Sequence, residues 1–133
     1  MAERFSVVTI SFNQAPFLED TIRSVLSQAG DFILDYLVID GGSTDGSIDI
    51  IKGYQSQLLT GRWSVSCQTI EYRWLSEPDP GPTFALNKGL RLTRGEFVSL
   101  LNSDDVYPPG TLALVTKLFQ ENPAVDVIYG DTV

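Results

Sequence analysis

The amino-acid sequence predicts an α/β fold in which a mostly parallel sheet carries helices on both faces. Short apolar, β-branched runs alternate along the chain with segments of helical periodicity, in the order β-α-β-α-β-α-β-α-β. The run "FILDYLVID" is almost continuously apolar, as a strand covered on both sides should be. With 133 residues, 43% of them hydrophobic, we expect one domain over residues 1–133.

The first half of the chain has clear boundaries between its elements. "FSVVTISF" reads as a buried strand, and Asn13 is the expected N-cap of the helix after it. Ser43 or Thr44 can cap the second helix. The predicted elements are a strand over 5–12, a helix over 15–29, a strand over 32–40 and a helix over 45–59.

The second half is predicted from the same periodicities. "TGRWSVSCQ" has no clean period and is expected to be a loop, and three prolines mark "SEPDPGP" as a turn. The predicted elements are a strand over 69–75, a helix over 82–94, a strand over 95–101, a helix beginning near Pro109, and a fifth strand over 124–131.

The composition excludes several classes of function. A formal net charge of −8 argues against a nucleic-acid or anionic-membrane surface. The chain has no histidine, so histidine bases and histidine metal sites are excluded. The single cysteine, Cys67, fits a reducing compartment and a small packing role. No transmembrane or signal segment is present, and we expect a cytoplasmic protein, either free or peripheral at the inner face of a membrane.

Acids and amides gather where the predicted strands end. Ligands of an open parallel sheet bind beyond the carboxyl ends of its strands, near the point where the strand order reverses. Aspartate and asparagine also occur at such ends merely as turn formers, but five strand ends together favour a shared acidic pocket. The residues concerned are Ser11, Asn13, Asp40, Gly41, Glu77, Asp79, Asn102, Asp104, Asp105 and Asp131.

Carboxylates that converge on one pocket repel one another unless a cation binds between them. Hard oxygen ligands suit Mg²⁺ or Mn²⁺, which one or two protein carboxylates hold together with substrate phosphates. Asp104 and Asp105 in "LLNSDDVYPPG" are the candidate ligands. The alternative is helix capping, but the next helix starts near Pro109, so capping explains at most one of the two.

Other polar stretches have simpler interpretations beside the functional one. "DGGSTDG" lacks the lysine and the spacing of a P-loop, and its Ser43, Thr44 and Asp45 suit helix capping. Lys88 follows Asn87 in the third helix, where a solvated face is the default, although the lysine could reach a diphosphate. Trp63 and Trp74 are expected in packing rather than as a sugar platform.

Four stretches in order resemble the nucleotide-binding half of an inverting family 2 glycosyltransferase with the Rossmann-like GT-A fold. They are "VVTISFNQAPFLEDTIRSVLSQ", "DYLVIDGGSTDGSIDII", "WLSEPDPGPTFALNKGL" and "TRGEFVSLLNSDDVYPPGTL". The resemblance implies a D-x-D-like motif with Asn102 first and Asp104 third, where Asp104 holds a divalent metal, Mn²⁺ or Mg²⁺, that bridges the diphosphate of a sugar nucleotide. It makes Asp105 a second metal candidate and implies nucleotide-sugar contacts for Ser11, Asn13, Asp40, Gly41, Asp79, Asn87, Lys88, Asn102 and Ser103.

The chain departs from the family pattern at three positions. Many relatives carry an aspartate where this chain has Gly41, and in them it contacts the base. The first position of the metal motif is the neutral Asn102, and Phe84 stands where relatives often have an aspartate. A UDP-sugar is the donor that the resemblance favours.

The resemblance also implies a later segment that supplies the acceptor site and the carboxylate general base. We therefore expect the chain to be a truncated part of a longer polypeptide, with the base beyond Val133. The parent protein would transfer a sugar to a sugar or lipid-linked acceptor in cell-wall or polysaccharide biosynthesis. The isolated chain would bind donor weakly and turn over negligibly.

Three alternatives share the acidic strand ends. A non-catalytic sugar-nucleotide-binding domain would keep "LLNSDD" without transferase activity in the parent. A nucleotidyltransferase would be expected to carry a basic, glycine-rich loop after the first strand, where this chain has "FNQAPF". A receiver-like phosphoacceptor would want a lysine after the last strand, and no lysine follows Lys117.

Overall fold

The computed structural model describes residues 3–130, in which four strands and four helices alternate along the chain. All strand pairs are parallel, and the strand order is β3-β2-β1-β4. The elements are β1 Glu3–Ser11, α1 Ala15–Leu26, β2 Phe32–Asp40, α2 Ser47–Leu59, β3 Thr69–Ser76, α3 Pro82–Leu92, β4 Phe97–Leu100 and α4 Thr111–Glu121. The predicted α/β class and parallel sheet are confirmed.

The sheet reverses its direction of growth at β1. β2 and β3 are added on one side of β1, and the chain then returns to place β4 on the other side. Because parallel crossovers are right-handed, the helix of the return crossover should lie on the opposite face from the first two. Accordingly, α1 and α2 contribute to the larger core, while Ala85 of α3 packs with Val8, Leu37 and Ile39 on the other face.

Helix α3 lies close to the sheet because it carries a glycine on its inner face. A Cβ added at Gly89 would stand 2.5 Å from Cγ1 of Val8 and 3.2 Å from Cγ1 of Ile39. This contact brings the first turn of α3, which begins at Pro82, to the carboxyl ends of the strands.

A buried polar cluster fixes the opposite end of the sheet. Asp35 is fully buried on β2, where its carboxylate accepts hydrogen bonds from Ser6 Oγ at 2.7 Å and from Arg73 Nη2 at 2.7 Å. It also accepts one from the backbone of Arg94 at 3.0 Å, and Gly95 N donates to Ser6 Oγ at 2.8 Å. The turn that leads into β4 is thereby tied to β1, β2 and β3. We call this set the Asp35 cluster.

Several predicted boundaries differ from the observed ones. The first helix ends at Leu26 and the second begins at Ser47, and α3 and β4 are each shorter than predicted. The N-cap of α1 is Gln14, so the prediction of Asn13 is wrong. Asn13 has a φ of 51°, and its side chain bonds to another loop.

The predicted fifth strand is not observed within residues 124–130. Residues there make no strand pairing, and Val127 and Tyr129 are 75% and 88% exposed. Apolar alternation alone does not make a strand, because a strand also needs pairing with a neighbour, and no described strand pairs with this segment. Asp131, the predicted end of that strand, lies outside the described residues.

None of the helices within residues 3–130 is both long enough and apolar enough to cross a membrane.

Candidate functional site

A cavity of about 450 Å³ lies at the carboxyl ends of β1, β2 and β4, beside the first turn of α3. This is the place where the strand order reverses, so the fold puts its crevice where open parallel sheets bind ligands. The cavity is lined by Ile10, Ser11, Phe12, Gln14, Gly41, Asp79, Pro80, Gly81, Pro82, Ala85, Asn102, Ser103 and Asp104. Six of the predicted site residues are therefore brought together: Ser11, Gly41, Asp79, Asn102, Ser103 and Asp104.

The corner of the cavity after β4 is a tight turn in which the two adjacent aspartates differ. The turn closes by a hydrogen bond from Asp105 N to the carbonyl of Asn102 at 3.1 Å, and Ser103 is buried beneath it. Asp104 lines the cavity, and its exposed side chain makes no hydrogen bond to any described residue. Asp105 lies outside the lining, and its carbonyl accepts a bond from Thr21 Oγ1 at 2.6 Å.

The oxygen donors of this corner suit a hard cation whose remaining ligands are phosphate oxygens and water. Asp104 offers a free carboxylate and Asn102 an amide oxygen, both on the cavity wall. No group of three or more acidic, histidine or cysteine side chains in residues 3–130 forms a ready-made metal cage. Magnesium-type ions are commonly held by one or two carboxylates plus phosphates and water, so this donor set suits a metal that arrives with a diphosphate.

Asp40, at the end of β2, has a different environment. Its side chain is fully buried, and Oδ2 accepts hydrogen bonds from Gly42 N at 3.0 Å, Ser43 N at 2.8 Å and Ser76 Oγ at 2.8 Å. Oδ1 accepts a further bond from Ser43 Oγ. Asp40 does not line the cavity. It shapes the loop that follows β2 and ties this loop to β3.

The loops after β1 and β2 are joined by side-chain hydrogen bonds. Asn13 Oδ1 accepts from Thr44 N at 2.9 Å, and Asn13 N donates to Ser43 Oγ at 2.9 Å. Asp45 Oδ2 accepts from Ala15 N, the first residue of α1, at 2.9 Å. The hydroxyl of Ser47, followed by that backbone amide, lowers the pKa of Asp45. Asn13 thus supports the cavity wall without lining it.

Beside the end of β2, two buried side-chain oxygens have no hydrogen-bond partner within residues 3–130. Oδ1 of Asp79 accepts from Gly81 N at 3.0 Å, whereas its Oδ2 is buried without a hydrogen bond. The Oγ of Ser11, a residue only 5% exposed, is likewise unpaired. A Cβ added at Gly41 would stand 3.4 Å from Oδ2 of Asp79 and 3.4 Å from Cδ1 of Phe12. We call Ser11, Phe12, Gly41 and Asp79 the β2 corner.

Asn87 and Lys88 do not line the cavity. Asn87 is exposed on α3, and Lys88 Nζ pairs with Oε1 of Glu77 at 2.6 Å. The part of α3 that meets the cavity is its first turn, through Pro82 and Ala85.

Sequence reasoning missed Phe12 and Gln14 as lining residues. Phe12 is 58% exposed directly after a strand of buried residues, and an aromatic side chain at such a strand end is the signal that could have identified it. Gln14 carries no comparable signal, since its place in the cavity follows from the turn between β1 and α1.

Comparison with known proteins shows the family. The family model described as glycosyl transferase family 2 matches residues 6–131. An uncharacterized glycosyltransferase of Nostoc sp. is 30% identical over 95% of this chain and 36% of its own length. A PGL/p-HBAD biosynthesis glycosyltransferase of Mycobacterium bovis is 32% identical over 99% of this chain and 48% of its own length. The chain therefore spans less than half the length of these curated relatives.

Solved structures agree with this assignment. S. aureus TarS 1-349 in complex with UDP-GlcNAc matches with a TM-score of 0.72 and 25% identity, over 90% of this chain and 32% of that one. The mannosyltransferase PcManGT from Pyrobaculum calidifontis, in complex with GDP-Man and Mn²⁺, matches with a TM-score of 0.71 and 25% identity, over 90% and 33%. The fold is thus the GT-A glycosyltransferase fold, and the chain belongs to glycosyl transferase family 2.

Proposed function

We propose that residues 1–133 are the donor-binding part of an enzyme that transfers a sugar from a nucleoside diphosphate to an acceptor hydroxyl. The observation that carries the proposal is the cavity at the strand-order reversal, with the unpaired carboxylate of Asp104 on its wall. Family membership supports sugar transfer as the reaction class.

In this proposal Asp104 is the protein carboxylate that holds Mn²⁺ or Mg²⁺, and Asn102 and Ser103 stand beside it. The cation, when bound, neutralises the charge that develops on the leaving diphosphate. The Mn²⁺ in the structure of PcManGT supports the choice of metal. Asp105 is assigned a supporting role in the turn, because its side chain is not on the cavity wall.

The nucleoside is proposed to lie across the cavity, toward Ser11, Gly41 and Asp79. Neighbouring strands are about 4.8 Å apart, so the end of β2 lies roughly 10 Å from the end of β4, with β1 between them. That span suits a ligand with a diphosphate at one end and a base at the other. TarS with UDP-GlcNAc and PcManGT with GDP-Man support a nucleotide-sugar donor, and a UDP-sugar remains our favoured choice.

Four further predicted contacts take supporting roles in the proposal. Asp40 and Asn13 hold the loops that form the cavity wall, through the hydrogen bonds described above. Lys88 could reach a diphosphate only by leaving Glu77, and Asn87 is assigned to the rim of the groove beside it.

The reaction is proposed to invert the anomeric centre, with a general base that takes the acceptor proton. Among the described lining residues, Asp79 and Asp104 are the carboxylates, and both are assigned to the donor. We propose that the base, and the contacts to a sugar or lipid-linked acceptor, lie beyond Val133, as the family resemblance implies. The proposed setting is polysaccharide or glycolipid synthesis, supported by the name of the M. bovis relative.

Calorimetric titration tests the donor site. UDP, GDP and dTDP are titrated with and without Mn²⁺, and we expect one of them to bind only with the metal. Asp104→Ala should weaken that binding at least about tenfold, as the loss of a charged ligand usually does. Asp105→Ala is the matched control and should change it by less than about threefold.

Equal binding in EDTA would contradict the metal role, and equal losses in the two variants would contradict the assignment of Asp104. A transfer assay separates the binding part from the whole enzyme. The 133-residue chain should release negligible product from a donor and acceptor that the longer protein uses, and robust transfer by the chain itself would contradict the placing of the base.

A further inference from the structure

The β2 corner holds buried polar atoms whose hydrogen-bonding capacity is unused within residues 3–130. Four buried side-chain atoms within residues 3–130 lack a hydrogen-bond partner, and two of them, Ser11 Oγ and Asp79 Oδ2, belong to residues that line the cavity. Buried polar atoms are normally paired, and an unpaired one costs free energy. Both atoms belong to residues of one cavity wall, where a bound ligand can supply the missing partners.

The two unpaired atoms belong to residues that flank the backbone of Gly41. Gly41 N donates to the carbonyl of Ser11 at 2.9 Å, and Asp79 Oδ2 lies 3.4 Å from the position of a Cβ at Gly41. The absence of a side chain at Gly41 leaves the carboxylate of Asp79 as the acidic group in this corner. Phe12 stands at the same distance from that position, with a ring that is 58% exposed and free to stack on a base.

We infer that Asp79 determines the base specificity of the donor by accepting a hydrogen bond from a ring N–H, which selects uracil, thymine or guanine. The inference rests on the proposed function and deepens it. An ionised carboxylate only accepts hydrogen bonds, whereas the hydroxyl of Ser11 can rotate to donate one. Uracil, thymine and guanine place a ring N–H beside a carbonyl oxygen, which complements an acceptor and a donor. Cytosine and adenine place an unprotonated ring nitrogen there, whose lone pair the carboxylate repels.

The test combines a panel of diphosphates with a near-isosteric variant. UDP, GDP, CDP and ADP are titrated against the chain in Mn²⁺, together with the N-methylated form of the tightest binder, N3-methyl-UDP or N1-methyl-GDP. UDP or GDP should bind about 10- to 100-fold tighter than CDP and ADP, the range expected for a hydrogen bond to a charged group. Methylation of the ring nitrogen should cost a similar factor.

Asp79→Asn should remove most of the preference among bases and most of the methylation penalty, because an amide can donate as well as accept. Asp49→Asn, an exposed aspartate on α2 outside the cavity, is the matched control and should keep them. Ser11→Ala gives a second variant, which removes an unpaired hydroxyl and should weaken UDP or GDP binding without changing the methylation penalty. Circular dichroism checks that each variant is folded.

The outcomes separate this inference from the function on which it rests. If no diphosphate binds with or without Mn²⁺, the proposed function and the inference both fail. If a diphosphate binds but the bases are not distinguished, the proposed function stands and the inference is wrong. Full discrimination retained by Asp79→Asn would also contradict it, as would equal binding of the methylated and unmethylated diphosphates.

Discussion

The aspartates at the strand ends have the same chemistry in the sequence and quite different environments in the structure. Asp40 is fully buried, and donors from its own loop and from Ser76 use its oxygens. Asp104 has no such partners within residues 3–130 and faces the cavity. The strand-end pattern predicted the edge of the sheet at which the cavity lies. It could not show which carboxylates stay free, because a donor such as Ser76 lies 36 residues away in the chain.

Asp45 provides a prediction at the same scale. Its pKa is lowered from an ordinary value of 3.8 by Ser47 and by the backbone of Ala15, so the ionised form stabilises the joined loops. A depressed pKa contributes stability that is present above the ordinary value and is lost as the pH falls through the folded-state value. In urea unfolding, the wild type should therefore be more stable than Asp45→Asn at neutral pH, and the difference should disappear well below pH 3.8.

Asp49→Asn is the control for this experiment. Asp49 is also in the loop-proximal turn of α2 and is exposed, but it accepts no hydrogen bond from a described residue. A difference between wild type and Asp45→Asn that stays constant across this pH range would contradict the role assigned to the Asp45 carboxylate.

At the scale of elements, periodicity predicted the type and order of the elements from β1 to α4. It predicted their first and last residues less accurately. Helix ends depend on caps that come from elsewhere in the chain, as Asp45 does for α1. The close approach of α3 to Val8 at Gly89 is a property of the assembled layers, which the periodicity of one helix does not specify.

Two glycines in helices give a test in which the same substitution has opposite effects. Gly89→Ala puts a methyl group 2.5 Å from Cγ1 of Val8 and should destabilise the chain by about 1–3 kcal/mol, the usual cost of overpacking. Gly53→Ala, on α2, has no atom within 4 Å of the new methyl group. It should stabilise by roughly 0.5–1 kcal/mol, because alanine loses less backbone entropy in a helix.

Chemical denaturation of both variants measures the two shifts. If Gly89→Ala were neutral, α3 would have room to move away from the sheet, and the position of its first turn at the cavity would not depend on this contact. The sign of the Gly53 effect serves as the check that the measurement resolves differences of this size.

At the scale of the whole molecule, the sheet has an open edge. β4 pairs with β1 on one side, no strand pairs with its other side within residues 3–130, and Val98 and Leu100 are 45% and 51% exposed. The sequence predicted a fifth strand, and the structure shows its apolar residues without strand pairing. Strand pairing of this kind depends on distant partners, which a local apolar pattern does not specify.

An open strand edge beside exposed apolar side chains favours association of chains edge to edge. Sedimentation velocity should therefore show self-association of the 133-residue chain that grows with concentration. Leu100→Lys should reduce it, because a lysine on an edge strand opposes pairing with a second chain. Leu59→Lys is the control, since Leu59 is 80% exposed at the end of α2, the helix that connects β2 to β3. Equal reduction by the two variants would exclude β4 as the contact.

The Asp35 cluster has a consequence at the far end of β4. Gly95 is pressed against the backbone of β1, where an added Cβ would stand 2.5 Å from the carbonyl of Arg4, and only four residues of β4 then pair before the chain turns at Asn102. Sliding β4 by one residue would carry Asp104 about 3.3 Å along the strand and turn its side chain toward the opposite face. The Asp35 cluster fixes the start of β4 and therefore the position of Asp104 at the opposite end of the strand. A design that transfers this site to another scaffold has to include the Asp35 cluster.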